Sequence, residues 1–300
     1  MFQRAEFTLA QWQCFVAAAE TGSISAAAGE LHMSQSALSS AVQRLEKQLG
    51  TALFIRQHAR GITLSSAGEQ LLDKARNLLR DAAELADAGR NLRHGVNGEL
   101  RIGCFVTLAP FYVPPVLTGL RERHPELRVN VLESDGAGLA AALRSARCDI
   151  ALGYGLEVPE DIRFRHLLSV RPYALVATGH PAAGSDSASL RELARTPMVL
   201  LDLPETGRFI LGMLEHAGVP IPEVVRTTNF ETMRGLVAST GGFAILNQRT
   251  RPAQGSRAVH ITDAEPVSIG MLYAGGVPAN RRMAAFTEQC RKVAGELRSG

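Results

Sequence analysis

The chain is predicted to be α/β overall: an N-terminal winged helix-turn-helix, one long linker helix, then a two-lobed α/β domain. Three observations predict it. Between Ser23 and Leu64, two short helical patterns joined by a tight turn precede two short apolar runs. From Ser66 to Leu92, leucine recurs every seven residues in a stretch without proline. From Glu99 onward, strand-like runs alternate with helix-like ones, as sheets covered by helices require.

The first helix is expected over Phe7 to Glu20, with Leu9, Trp12, Phe15, Val16 and Ala19 as its core face. Ser23 then caps a small-residue helix, and Leu31-His32-Met33 forms the turn into a third helix capped by Ser34. In that third helix Leu38, Ala41, Val42, Leu45 and Leu49 make one apolar stripe. At about 100° per residue, Ser36, Ser39, Ser40, Gln43 and Lys47 share the opposite face, with Gln35 beside them. That face carries no acid, whereas a solvated face commonly mixes Glu and Lys four residues apart. Hydroxyls and amides on a protruding helix suit base edges in the DNA major groove. Downstream, ALFIRQHARGITL reads as a hairpin whose tip carries Arg56, His58 and Arg60, placed like a wing against phosphates.

In the linker, Leu71, Leu78, Leu85 and Leu92 are joined by Leu72, Ala75, Leu79, Ala82 and Ala86. One helix cannot bury a sustained heptad seam alone, so a partner helix is expected; packing on its own domain is the alternative. His94 to Gly98 (HGVNG) reads as a hinge. Beyond it the strands are LRIGCFV, RVNVLE, CDIAL, YALVA, MVLL, VVRTT, FAIL and VSIGMLY. Helices fall near Pro114 to Arg123, Leu139 to Ala146, Leu190 to Arg195, Arg208 to Ala217 and Glu231 to Ser239. The alternation is read as two parallel-sheet units, with breaks near Leu167–Tyr173 and Asp263–Val267.

From Leu9 to Gly68 the chain closely resembles the N-terminal domain of LysR-type transcriptional regulators. The matching positions include Phe15, Gly22-Ser23, Ala27-Ala28, Leu31, the run Ser34 to Ser39, Leu45-Glu46 and Leu49-Gly50. They continue through Leu53-Phe54, Arg56, Arg60-Gly61, Leu64 and Gly68. Ser40 and Ala41 depart from the pattern, standing where relatives usually carry Arg and Gln. The contact those relatives make there is missing, so their sequence preference does not carry over; the helix face and the resemblance together point to DNA contacts by Ser23, Ser34, Gln35, Ser36, Ser39, Ser40, Gln43, Arg44, Arg56 and Arg60. The resemblance also implies dimerisation through the linker helix, pairing of dimers into tetramers, and contact with RNA polymerase. The expected division is 1–65 for DNA binding, 66–93 for the linker and 94–300 for an effector-binding domain of periplasmic-binding-protein type. Its first lobe spans about 99–166 and 266–300, and its second about 167–265.

In α/β sheets, small molecules sit beyond the carboxyl ends of strands, where helix N-termini present free amides. The candidate effector contacts are therefore Thr107, Gly136, Asp202, Thr228, Asn229 and Phe230. Thr107 also matches the hydroxyl position that LysR-type relatives commonly use. Ordinary helix capping is the competing use of such side chains. A small polar or carboxylate-bearing effector is the expectation.

The net charge of +3 excludes nothing, since residues 1–65 carry five basic groups against four acids. Cys14, Cys104, Cys148 and Cys290 have no metal spacing and read as buried free thiols. Peroxide-sensing relatives place a cysteine pair in the second half of the regulatory domain, yet no cysteine lies between Cys148 and Cys290. GAGLAA after RVNVLE loosely matches a dinucleotide loop, but it follows the wrong strand and lacks the later acid, so a tight strand-to-helix turn is read there. The eight histidines read as surface residues. With no catalytic constellation, metal site or cofactor motif, no enzymatic role is expected. No signal segment or membrane span is visible, and a cytoplasmic location is expected. The function expected is a transcription regulator whose effector changes its engagement of double-stranded DNA. A ligand-independent repressor with a vestigial cleft is the alternative.

Overall fold

The computed structural model describes residues 7–57, 61–90, 96–248, 254–276 and 280–299. They form two compact units divided near residue 95. No helix among the described residues is long and apolar enough to cross a membrane.

The first unit holds α1 (Leu9–Thr21), α2 (Ile24–Glu30), α3 (Gln35–Leu49), the hairpin β1 (Phe54–Gln57) and β2 (Gly61–Leu64), and α4 (Ser66–Arg90). Thr8 and Gln11 close a capping box at the start of α1, which leaves Leu9 45% exposed rather than in the core. The helix is buried on two sides. Cys14, Ala17 and Ala18 meet α2 and α3, while Trp12 and Phe15 meet Leu45, Leu53 and Ala75. Trp12 is core, stacked edge-on against Phe7 and Phe15. His32 takes a left-handed backbone at φ 51° in the turn before α3.

α4 divides the expected heptad. Leu71, Leu72 and Leu79 pack around Ala75 on the Trp12–Phe15 cluster, so part of the seam is satisfied within its own unit. Leu78 and Leu85 are 37% and 77% exposed. Leu92, with His94 and the first half of the hinge, lies outside the described residues.

The second unit contains two sheets. The first sheet joins β3 (Gly98–Phe105), β4 (Leu127–Ser134), β5 (Ile150–Tyr154), β6 (Ile162–Val170) and β13 (Val267–Ala274) in the order β4-β3-β5-β13-β6. The second joins β7 (Tyr173–Ala177), β8 (Ser187–Ala188), β9 (Met198–Leu201), β10 (Val224–Thr227), β11 (Phe243–Leu246) and β12 (Ser256–Ile261), ordered β10-β9-β11-β7-β12-β8. Covering helices are α5 (Ala109–Arg123), α6 (Gly136–Arg144), α7 (Leu190–Leu193), α8 (Pro204–His216), α9 (Phe230–Thr240) and α10 (Arg281–Ser299).

Several expectations change here. Both sheets are mixed, not parallel: β13 runs antiparallel to β5 and β6, and β7 antiparallel to β11 and β12. The chain passes between the lobes twice, and strands arriving by those crossings enter against the local direction. β8, β12 and α10 are absent from the expected elements, and β6 shares only Leu167–Val170 with the break expected near Leu167–Tyr173. α5 begins at Ala109, not Pro114, and carries Pro114 and Pro115 inside it, because burial of Ala109, Tyr112, Val116 and Leu120 outweighs local preference.

His180 is 3% exposed, contrary to the expectation of a surface residue. Its Nδ1 accepts the Ala182 amide at 2.9 Å, so Nε2 carries the proton and donates to Thr196 Oγ1 at 2.8 Å. Burial holds the imidazole below its ordinary titration range. The unfolded chain therefore binds the proton first as pH falls. Stability from the neutral ring is complete above about pH 6.5 and is lost progressively below it. Urea unfolding of the second unit should show a midpoint that drops between pH 7 and pH 5, and His180→Gln should flatten that slope.

Candidate nucleic-acid interface and effector cleft

α3 is positioned from both ends. Ser34 Oγ accepts the Ala37 amide at 3.2 Å, and Gly50 closes the helix in a left-handed cap. Leu38, Ala41, Val42 and Leu45 are buried, which turns Gln35, Ser36, Ser40, Gln43, Arg44 and Lys47 outward as exposed residues; Ser39 is half-buried. Ser36, Ser40, Gln43, Arg44 and Lys47 line one shallow open groove. Ser34 Oγ and Ser36 Oγ lie 3.1 Å apart, and Arg44 Nε bonds the Ser40 carbonyl at 3.2 Å. Ser23 caps α2 through the Ala26 amide at 3.3 Å and is half-buried.

The one carboxylate of α3 is turned away from that face. Glu46 Oε1 accepts the amides of Leu53 and Phe54 at 2.8 and 3.2 Å, fixing the start of the wing to the helix. Sequence reasoning missed this role; the signal was an acid on an otherwise acid-free helix just before the hairpin. The wing also docks on the α1–α2 turn. Gly61 sits at φ 85°, and its Cβ position lies 2.8 Å from the Gly22 carbonyl oxygen, so only glycine fits there. Arg56 lies in β1, but its side chain, His58 and Arg60 are outside the described residues.

In the second unit the expected cleft residues sit in separate local contacts at the strand ends, and no hydrogen bond among the described residues joins the Thr107 group to the Asp202–Asn229 group. Thr107 is buried and its hydroxyl lies 3.2 Å from Tyr154 Oη. Tyr154 also hydrogen-bonds the Asn247 side chain, and burial pushes its phenol well above the usual range. Val106 donates to the Ser134 carbonyl at 3.0 Å, joining the β3 and β4 ends. Asp202 donates its amide to the Thr227 carbonyl at 2.8 Å, joining the β9 and β10 ends, and its Oδ1 accepts from Arg226 Nη1 at 3.0 Å. Asn229 caps α9 by accepting the Thr232 amide at 2.9 Å, Thr228 is exposed, and Phe230 packs into the second-lobe core.

The α6 N-terminus holds an arrangement the sequence did not reveal. The strand-to-helix transition is tight, with Asp135 alone between β4 and α6, and GAGLAA supplies the first residues of the helix, but its amides are not free. Gly138 donates to Asp135 Oδ1 at 2.8 Å, and Ala137 donates to Oε1 of Glu205, from α8 of the other lobe, at 3.0 Å. Gly136 accommodates this carboxylate: its Cβ position is 3.2 Å from Glu205 Cδ. The four cysteines are free and buried, and burial raises each thiol, Cys148 to about 12.

Comparison with known families follows this division of the chain. Residues 9–69 match the bacterial regulatory helix-turn-helix protein, lysR family, and residues 93–295 match the LysR substrate binding domain. The chain belongs to the LysR family of transcriptional regulators. This LysR-family regulator is a DNA-binding protein with an effector-binding domain. It is 30% identical to a probable hydrogen peroxide-inducible genes activator of Mycobacterium leprae, over 97% of its own length and 94% of that protein's. The structure of HinK, a LysR family transcriptional regulator from Pseudomonas aeruginosa, shares 31% identity at a TM-score of 0.63, covering 97% of this chain and all of that one. Full-length CbnR, solved in complex with its target DNA, shares the fold at 23% identity and a TM-score of 0.56, with 96% of this regulator and 100% of CbnR covered.

Proposed function

We propose that this regulator reads double-stranded DNA with the exposed, acid-free face of α3 and responds to a small polar effector in its two-lobed domain. The observation that carries the reading is that face itself. Gln35, Ser36, Ser39, Ser40 and Gln43 offer donors and acceptors to base edges, while Arg44 and Lys47 supply charge at the same groove. Ser23 and Ser34 are assigned to phosphates, since both hydroxyls stand at helix N-termini. Arg56 and Arg60 are assigned to the wing's phosphate contacts. In the proposed division, 1–65 binds DNA, 66–93 links and dimerises, and 94–300 receives the effector near Thr107, Gly136, Asp202, Thr228, Asn229 and Phe230. Dimers pair into tetramers and contact RNA polymerase in the cytoplasm, and no catalytic step is assigned.

A hydrogen-peroxide response, as in the name of the mycobacterial relative, is not carried over. No cysteine lies between residues 148 and 290, and burial of all four thiols suppresses the reactive thiolate. The test of the DNA reading is Gln35→Ala. The loss expected is about 1–3 kcal/mol of specific binding, with affinity for unrelated DNA and the folded spectrum unchanged. An unaltered footprint and affinity would remove Gln35 from the interface.

A further inference from the structure

α8 follows β9 and belongs to the second lobe, yet its first turns are fastened to the first lobe. Glu205 and Arg208 stand three residues apart and share one face of the helix. Glu205 Oε1 accepts the Ala137 amide, at the start of α6, at 3.0 Å. Arg208 Nε donates to Glu157 Oε1 at 3.1 Å, and its Nη2 donates to the other oxygen of the same carboxylate. Glu157 lies between β5 and β6, so both partners come from the lobe of the first sheet. Phe209, the next residue, packs partly against the cores of both lobes.

Beyond these contacts the junction along α8 is loosely filled. A cavity of about 560 Å³ is lined by Leu156 and Glu157 of the first lobe and by Gly212, Met213 and His216 of α8. Two features also work against the fastened arrangement. Glu205 is 8% exposed, and its Oε2 is buried without a hydrogen-bond partner among the described residues. Separation of the lobes returns that oxygen to water and removes its desolvation cost. Glu157 is held at φ 44°, a left-handed backbone that residues with a Cβ rarely adopt, and release of Arg208 lets its loop relax. A junction made by a few polar contacts and opposed by local costs has two arrangements of similar free energy.

We propose that α8 is a latch between the lobes: Glu205 and Arg208 hold the resting arrangement, and their release separates the lobes on the α8 side. An effector that moves the lobes then works against one cap and one ion pair, not against a continuous core. The proposal rests on the reading of this unit as effector-responsive, and it adds the residues that set its resting state.

The test measures the distance between spin labels on the full chain by pulsed electron resonance. Labels are placed at Ala141→Cys on α6 and Glu215→Cys on α8, both exposed, while the four native thiols are buried. Dilution with unlabelled chain restricts the reading to one protomer. Glu205→Ala and Arg208→Glu should each lower the ratio of short- to long-distance populations by about tenfold or more, equivalent to about 1.4 kcal/mol. Pairing Arg208→Glu with Glu157→Arg reverses the ion pair and should restore the short distance. Asp135→Ala removes the cap that α6 receives at Gly138 from its own lobe, and should leave the populations unchanged. Unmoved populations in both single variants, an equal shift in Asp135→Ala, or no recovery in the reversed pair overturns the proposal. DNA binding by the same preparations reports separately. Retained DNA binding with unmoved populations defeats the latch alone, whereas no DNA binding by the chain without the latch substitutions defeats the regulator reading.

Discussion

Replacing Leu78 and Leu85 together with lysine should leave both units folded and make the protein monomeric. Of the heptad leucines in α4, Leu71 already packs on the Trp12–Phe15 cluster, whereas Leu78 and Leu85 are 37% and 77% exposed. In the proposed dimer, leucines standing proud at seven-residue spacing on a long helix form the seam that a second copy covers. Two lysines there would place four positive charges at the seam of a dimer. Coupling of the two reading heads would then be lost, and affinity for a site with two half-sites should fall by about 10²- to 10⁴-fold. Sedimentation and a DNA titration at fixed salt measure both effects. Ala83→Lys, exposed and roughly 140–160° round the helix from these leucines, controls for added charge. A double variant that remains dimeric would move the self-contact elsewhere.

The second large effect is expected at Gly68, buried in the first turns of α4. A Cβ there would stand 2.2 Å from the Leu53 carbonyl oxygen and 2.9 Å from Leu64 Cδ2. The backbone has no room to retreat. Leu53 O accepts the Ser65 amide at 2.9 Å, Ser65 Oγ donates to Ala52 O at 2.6 Å, and the same hydroxyl accepts the Gly68 amide at 3.1 Å. Gly68→Ala should therefore cost about 3 kcal/mol, the upper part of the range for overpacking. For a unit of this size that is a fall of roughly 15 °C in its melting temperature. Gly29→Ala is the contrast, since nothing lies within 4 Å of its Cβ position. There alanine should raise helix stability by about 0.5–1 kcal/mol. Scanning calorimetry of both variants separates the close approach at Gly68 from the general effect of removing a glycine.

The first unit was largely legible because its order is local. Caps at Ser23 and Ser34, the stripe from Leu38 to Leu45 and the hairpin are each written in a few neighbouring residues. α10 is legible too: Met283, Phe286, Cys290 and Val293 recur at helical spacing and are all buried. β6 was obscured by Arg163, Arg165 and His166, which an edge strand tolerates and a buried strand would not. The burial of His180 depends on Thr196 and the Ala182 amide, a pairing no periodicity encodes. The cleft was legible only as positions at strand ends. What fills the α6 N-terminus is Glu205, 68 residues away from Ala137, and the Thr107 hydroxyl meets Tyr154 from 47 residues away. Sequence reasoning finds caps supplied from within a turn; it has no access to a cap supplied by the other lobe.

The most direct measurement is position-specific crosslinking from α3 to DNA. A cysteine placed at Ser36 or Ser40 is the only reactive thiol, because the four native ones are buried and free. Carrying a short crosslinker, and mixed with a duplex selected by the wild-type protein from random sequence, both variants should attach to major-groove base edges within one half-site. Asp73→Cys, exposed on α4, should attach to none. Crosslinks absent from positions 36 and 40, or equally frequent from position 73, would contradict a DNA-reading role for the exposed face of α3.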